Sequence, residues 1–164
     1  MIIAATGHRP EKLGGYTNHV RLALGGLATE YLSGAAPTKV ISGMALGWDQ
    51  AVTAAALALG IPVTAAIPFE GQESRWPPEA QARYRRLLAA CSDVVVVSEI
   101  ASVRAMQLRN EWMVDHAHKM VALWDGSFGG THNCIVYARK WGRPIDNLWS
   151  RWSMDADLRD LLGL

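Results

Sequence analysis

The chain has 164 residues, half of them hydrophobic, which fits one domain, residues 1–164, with a sizeable core. Its 16 basic and 15 acidic residues leave a net charge of +1, without the overall basic surplus of a strong nucleic-acid binder. No run reaches the length of a membrane span, and the opening Met-Ile-Ile-Ala-Ala-Thr-Gly lacks the basic segment of a secretory signal, so a cytoplasmic setting is expected.

In chain order, Ile2 to Ala5 reads as a first strand, followed at once by Thr6-Gly7-His8-Arg9-Pro10 and a Lys-Leu-Gly-Gly-Tyr loop. Thr17 can cap a helix over about Asn18 to Ser33, whose apolar face holds Val20, Leu24, Leu27, Ala28 and Tyr31. Lys39 to Ser42 is a second strand. The small residues Ser42 to Gly47 then let the backbone turn, and from Trp48 apolar side chains fall at helical spacing up to Gly60. Ile61 to Ile67 is a third strand. Pro68 to Pro78 is a polar loop, and Pro77 and Pro78 suit the first turn of a helix reaching about Cys91.

Asp93 to Ser98 contains four successive valines, which predicts a central parallel strand. Ser102 caps a helix predicted over Val103 to His118, and Lys119 to Trp124 is a fifth strand. Asp125 to Thr131 is a second glycine-rich loop, and a helix is predicted over Asn133 to Trp141. Pro144 to Trp149 reads as a sixth, edge strand, and Asp155 to Leu162 as a short terminal helix. Strands alternating with helices predict an α/β fold: a parallel sheet of five to six strands with helices on both faces.

Three distinctive loops each follow a strand directly, so all three must reach one edge of that sheet, where parallel α/β folds bind ligands. The first supplies Thr6, Gly7, His8 and Arg9, the last with a donor fork that matches phosphate. The second supplies Ser42, Gly43, Met44, Ala45 and Gly47 at the start of a helix, a natural anion site. Asp49, in that helix's first turn, either holds the loop or accepts from a ribose hydroxyl. The third supplies Asp125, Gly126, Gly129, Gly130 and Thr131. Asp125 can bind sugar hydroxyls, act in glycosidic chemistry, or brace the Gly129–Thr131 turn.

Arg109 and Asn110 lie mid-helix, where burial demands partners: a ligand, or an internal network with Asp115. Cys91 and Cys134 show no metal-ligand spacing and read as buried thiols, in keeping with a reduced compartment. His116, His118 and His132 show no ligand spacing either, and no metal or cofactor is expected. Of the seven tryptophans, Trp48, Trp76 and Trp124 lie near the loops and are candidates for stacking on a flat ligand, with core packing the main role of the rest.

Thr-Gly-His-Arg-Pro with Lys-Leu-Gly-Gly-Tyr, Ser-Gly-Met-Ala-Leu-Gly-Trp-Asp, Arg-Asn-Glu-Trp-Met-Val-Asp and Trp-Asp-Gly-Ser-Phe-Gly-Gly-Thr together resemble the YpsA-like family of the SLOG superfamily, over about residues 1 to 145. That superfamily also holds the DNA-processing protein DprA and the LOG phosphoribohydrolases. The resemblance implies a Rossmann-like sheet, a pocket for a nucleotide or nucleotide derivative and, by analogy, a homodimer. LOG enzymes carry Pro-Gly-Gly-x-Gly-Thr-x-x-Glu, and the position of their catalytic glutamate here is Cys134, which cannot serve as that acid or base.

Three functions follow as expectations. The first is binding of a nucleotide derivative at the carboxyl edge of the sheet. The alternative is an N-glycosidase in which Arg9 and Arg109 hold phosphate and Asp125 is the catalytic carboxylate. The least favoured is DprA-like binding of single-stranded DNA, since the charge balance argues against a nucleic-acid partner.

Overall fold

The computed structural model describes residues 1–163. Its elements are β1 (Ile2–Gly7), α1 (Asn18–Ala35), β2 (Lys39–Ser42), α2 (Trp48–Ala58), β3 (Val63–Ile67), α3 (Pro78–Ala90), β4 (Asp93–Val96), α4 (Val103–His116), β5 (Lys119–Leu123), α5 (Gly130–Lys140), β6 (Ile145–Asn147) and α6 (Trp149–Leu161). The six strands form one sheet in the order β4-β3-β2-β1-β5-β6, and every pairing is parallel. This is a Rossmann-like α/β fold. No helix among the described residues is long and apolar enough to cross a membrane.

Local chemistry explains the boundaries. The Thr17 hydroxyl accepts from the Val20 N–H at 3.4 Å and the Ser102 hydroxyl from the Ala105 N–H at 3.0 Å, satisfying amides that the first helical turn leaves free. Pro78 opens α3, where its missing N–H is harmless.

Two apolar layers cover the sheet. On one face, Leu24, Leu27 and Leu32 of α1, Trp48, Val52 and Ala56 of α2 and Trp152 of α6 pack on Ile3, Val40, Val63 and Val121. On the other, Met113 and Val114 of α4 and Cys134 and Ala138 of α5 pack on Ala4, Ile41, Ala66 and Met120. The chain runs outward from β1 to β4 on one side, then crosses back to lay β5 against the other side of β1. The order of strands therefore reverses between β1 and β5. Their following loops leave in different directions and open a crevice at the carboxyl edge.

Several expectations change. The valine strand is not central: β4 is an edge strand, with Val94 46% and Val96 43% exposed. Branched side chains suit any strand, and hydropathy alone does not report position in the sheet. α5 begins at Gly130, three residues before the predicted start, because Gly129 serves as its N-cap residue. α6 begins at Trp149, six residues before the predicted Asp155, since Trp152 has a core to enter. Cys91 lies just past α3 and is only half-buried, whereas Cys134 is fully buried. Trp48 is fully buried in the α2 layer and is no stacking platform.

Candidate functional site

The three loops meet. The His8 N–H donates to the Leu123 carbonyl at 3.0 Å, and the Trp48 N–H donates to the His8 carbonyl at 3.3 Å, so the loop after β1 is stitched to both neighbours. Gly47 makes the second bond possible. Its φ is +91°, and a Cβ there would lie 2.6 Å from the His8 oxygen. Between the loops lies a cleft of about 370 Å³, within the usual size of small-molecule sites, roughly 300–1,000 Å³.

Of the expected site residues, Thr6, Gly7, His8, Arg9, Ala45, Asp49, Arg109, Asn110, Gly129, Gly130 and Thr131 line this cleft. Ser42, Gly43, Met44 and Gly47 do not: the first three are buried, and Gly47 faces a separate pocket with Pro10, Tyr16 and Leu24. Ser42 is fully buried, and its hydroxyl accepts from the Met44 N–H at 3.1 Å and donates to the Asp49 carbonyl at 3.2 Å. Met44 is held at φ 59°, a left-handed conformation that costs a non-glycine residue about 1–2 kcal/mol, with its side chain fully buried. Such strain persists only where the surroundings fix the turn.

The floor of the cleft is ionic. Arg109, 5% exposed, donates from Nη1 to the Gly43 carbonyl at 2.5 Å and from Nε to Asn110 Oδ1 at 2.9 Å. Asn110 in turn donates to the Gly130 carbonyl at 3.4 Å, tying α4 to the start of α5. Asp49 is also 5% exposed. Its Oδ2 receives only the Ala45 N–H, at 3.4 Å, and its Oδ1 is buried with no hydrogen-bond partner. Burial pushes this carboxyl up to about 6, against the pull of the Arg109 charge. Both groups crowd Gly43: a Cβ there would stand 2.5 Å from Arg109 Nη1 and 2.9 Å from Asp49 Oδ2. The anticipated Arg109–Asp115 network does not form. Asp115 is exposed and accepts from the Tyr137 hydroxyl at 3.0 Å.

Two cationic or dipolar elements overlook this floor. Arg9 is exposed and makes no side-chain hydrogen bond or ion pair among the described residues. Gly129 caps α5 without any side-chain bond, so the first amides of that helix point at the cleft unsatisfied. Free amides at a helix N-terminus beside a free guanidinium are groups that suit an anion.

Asp125 plays a different part. Its Oδ1 accepts from the Ser127 N–H at 2.9 Å, the Ser127 hydroxyl at 2.5 Å and His8 Nε2 at 2.7 Å. The Asp125 N–H addresses the same ring nitrogen at 3.1 Å, and one nitrogen cannot both donate and accept; the shorter contact to the carboxylate makes Nε2 the donor. These donors, Ser127 above all, hold the Asp125 carboxyl well below the usual carboxylate range. It braces the 125–127 turn and the His8 loop rather than the Gly129–Thr131 turn. Neither Asp125 nor Gly126 lines the cleft. Trp149, at the start of α6, packs edge-on against the His8 ring at 5.8 Å, so His8 is a fixed wall.

Sequence reasoning missed Glu11, Lys12, Met106, Ser127, Phe128 and His132, which also line the cleft. Met106 carried a signal: it precedes Arg109 by three residues and Asn110 by four, on one helical face. Lys12 carried none, since its bond to the Ser127 hydroxyl joins residues far apart in the chain.

A parallel sheet with a cleft at the reversal of strand order is a Rossmannoid arrangement. The family model described as the YspA SLOG family (YpsA) matches residues 3–141, and the chain belongs to that family. It is similar to the uncharacterized SPbeta prophage-derived protein YoqJ of Bacillus subtilis, 31% identical over 144 residues, covering 76% of this chain and 84% of YoqJ. Among solved structures it resembles DprA from Streptococcus pneumoniae, with a TM-score of 0.63 and 17% identity, covering 87% of this chain and 48% of that one. It also resembles DprA from Helicobacter pylori, with a TM-score of 0.62 and 17% identity, covering 88% of this chain and 63% of that one. The chain thus spans about half to two thirds of the DprA chains, and the likeness to them is one of fold.

Proposed function

We propose that this protein binds a nucleotide or nucleotide derivative in the cleft between β1 and β5. The observation that carries the reading is the buried, unpartnered Asp49 Oδ1 on the cleft floor. A buried carboxylate oxygen without a donor is costly, and a ribose hydroxyl supplies the missing donor. Ligand phosphate then falls to the free α5 amides and to Arg9. The same geometry disfavours the N-glycosidase alternative. Asp125 lies outside the cleft lining, and its Oδ1 is already held by Ser127 and His8. Cys134, at the position of the LOG glutamate, is fully buried, and burial pushes its thiol up to about 11.

The test is thermal-shift screening followed by calorimetry with a panel of nucleoside mono- and diphosphates. At least one should raise the melting temperature, and Arg9→Ala should weaken its binding tenfold or more without changing the melting temperature of the free protein. Silence across the whole panel sinks the reading. The Helicobacter pylori structure is described by a single-stranded DNA binding mode. An oligonucleotide arm at low salt checks that reading here; tight, steeply salt-dependent binding without any mononucleotide response would favour it.

A further inference from the structure

The cleft does not end at Arg9. A second bay of about 560 Å³ continues from it across the carboxyl ends of β3 and β4, and Arg9 and Met106 line both. The far bay is built from the Pro-rich loop after β3 and the start of α4: Phe69, Gln72, Arg75 and Trp76 face Ala101 and Ser102.

Its polar equipment is specific. Gln72 is 9% exposed and donates from Nε2 to the Gly43 carbonyl and to the Tyr84 hydroxyl, both at 3.2 Å. The Gly43 carbonyl needs donors and fixes which way the amide faces. Gln72 Oε1 accepts from no protein group among the described residues, and Gln72 lines the bay, so this oxygen is open to a donor there. The same Gly43 carbonyl receives Arg109 from the first bay, so one peptide group anchors the polar floor of both.

Trp76 is half-buried, its ring held edge-on to Tyr84 at 5.3 Å, and the Gln81 amide pins its carbonyl at 2.9 Å. Arg75 is exposed and has no acidic partner among the described residues. A fixed indole, a free guanidinium and an unpaired amide carbonyl are what a flat ring bearing N–H donors requires.

We propose that the second bay binds a nucleobase-like ring, so that the ligand is a two-headed nucleotide: two nucleosides joined through phosphates that pass Arg9. This rests on the nucleotide reading of the first bay. One head occupies the cleft over Asp49, with its ribose hydroxyls at the carboxylate. The linking phosphates lie between Arg9 and the α5 amides. The second base stacks against Trp76 and donates to Gln72 Oε1.

Calorimetry with the four common 5′-mononucleotides, the matching dinucleoside diphosphates and ADP-ribose, which has one base only, separates the two readings. The dinucleoside diphosphate should bind at least tenfold tighter than its mononucleotide and than ADP-ribose. Trp76→Ala should remove that advantage while changing mononucleotide affinity less than twofold. Ala101→Trp, an exposed position that fills the bay without disturbing Tyr84 or Gly43, should do the same and guards against a folding defect in the first variant. Equal affinity of one- and two-base ligands in the wild type overturns the second-bay assignment and leaves the first-bay reading standing. An advantage that survives Ala101→Trp overturns it as well. Failure of every nucleotide, one- or two-headed, overturns both.

Discussion

Asp49 lines the cleft and Asp125 lies just outside its lining, and the environments of the two carboxylates are opposite. Asp49 is buried at the cleft floor with one distant amide for company. Asp125 is on the rim, its side chain 28% exposed, with donors from Ser127 and His8 on a single oxygen. Burial without donors raises the first carboxyl to about 6; donors without deep burial depress the second. The comparison teaches which carboxylate is available. A carboxylate oxygen already held by its own protein braces the fold, whereas one left short of donors at a cleft is the better candidate to meet a ligand.

The sharpest way to break this comparison is Arg109→Leu. It removes the cation that moderates Asp49 and strips a donor from the Gly43 carbonyl. Loss of a buried charge from such a cluster costs about 3–5 kcal/mol, read from the shift of a urea unfolding midpoint. Nucleotide binding should vanish with it.

Asp49→Asn should act in the opposite direction. The folded chain holds the Asp49 proton up to about 6, while the unfolded chain releases it near 3.8. The folded state is therefore favoured below 3.8, and that advantage fades as pH rises between these values. Above about 6 the buried charge is fully present and destabilises on the order of 2 kcal/mol. The asparagine variant should be more stable than wild type by on the order of 1–2 kcal/mol at pH 8 and indistinguishable at pH 3.5, in melts across that range. A variant less stable at pH 8 would show that the carboxylate is satisfied by something else.

Ligand affinity gives a third handle. If the ionised Asp49 receives a ribose hydroxyl, wild-type affinity should fall up to about tenfold, on the order of 1.4 kcal/mol, between pH 7.5 and pH 5. The Asp49→Asn variant should bind more weakly throughout and show a flat profile. Calorimetry at each pH checks this.

Asp125→Asn should have the smallest effect, about 1 kcal/mol of stability at pH 7, because the loop keeps its backbone bonds and loses mainly charge-assisted ones. Asp125 is depressed in the folded state, so its contribution is complete above its unfolded value of about 4 and is lost only as pH falls well below that. Nucleotide affinity should change less than threefold. A complete loss of binding would return Asp125 to the site.

Much of the fold was legible in the residues. β2 appears with its predicted bounds, and the Thr17 and Ser102 caps do what their hydroxyls allow. Alternating strands and helices admit few topologies once right-handed crossovers are required. The convergence of the Thr6, Ser42 and Asp125 loops followed from their each trailing a strand. What the pattern misjudged were roles set by distant neighbours. Four valines in a row look central, yet β4 lies at the border because the chain turned back to β1 after it. The bond that ties Asp125 to His8 spans 117 residues, so nothing in its own segment reveals it.

The sequence by itself determined the strand–helix alternation, the glycine turns and the edge of the sheet on which the unusual residues gather. Periodicity and backbone sterics act within a few residues. Only the tertiary structure decided that Asp49 is starved of donors while Asp125 is surrounded by them, and that Gln72 and Trp76 extend the cleft. Burial and hydrogen-bond pairing depend on which segments pack together, and that is fixed by the three-dimensional order of the strands.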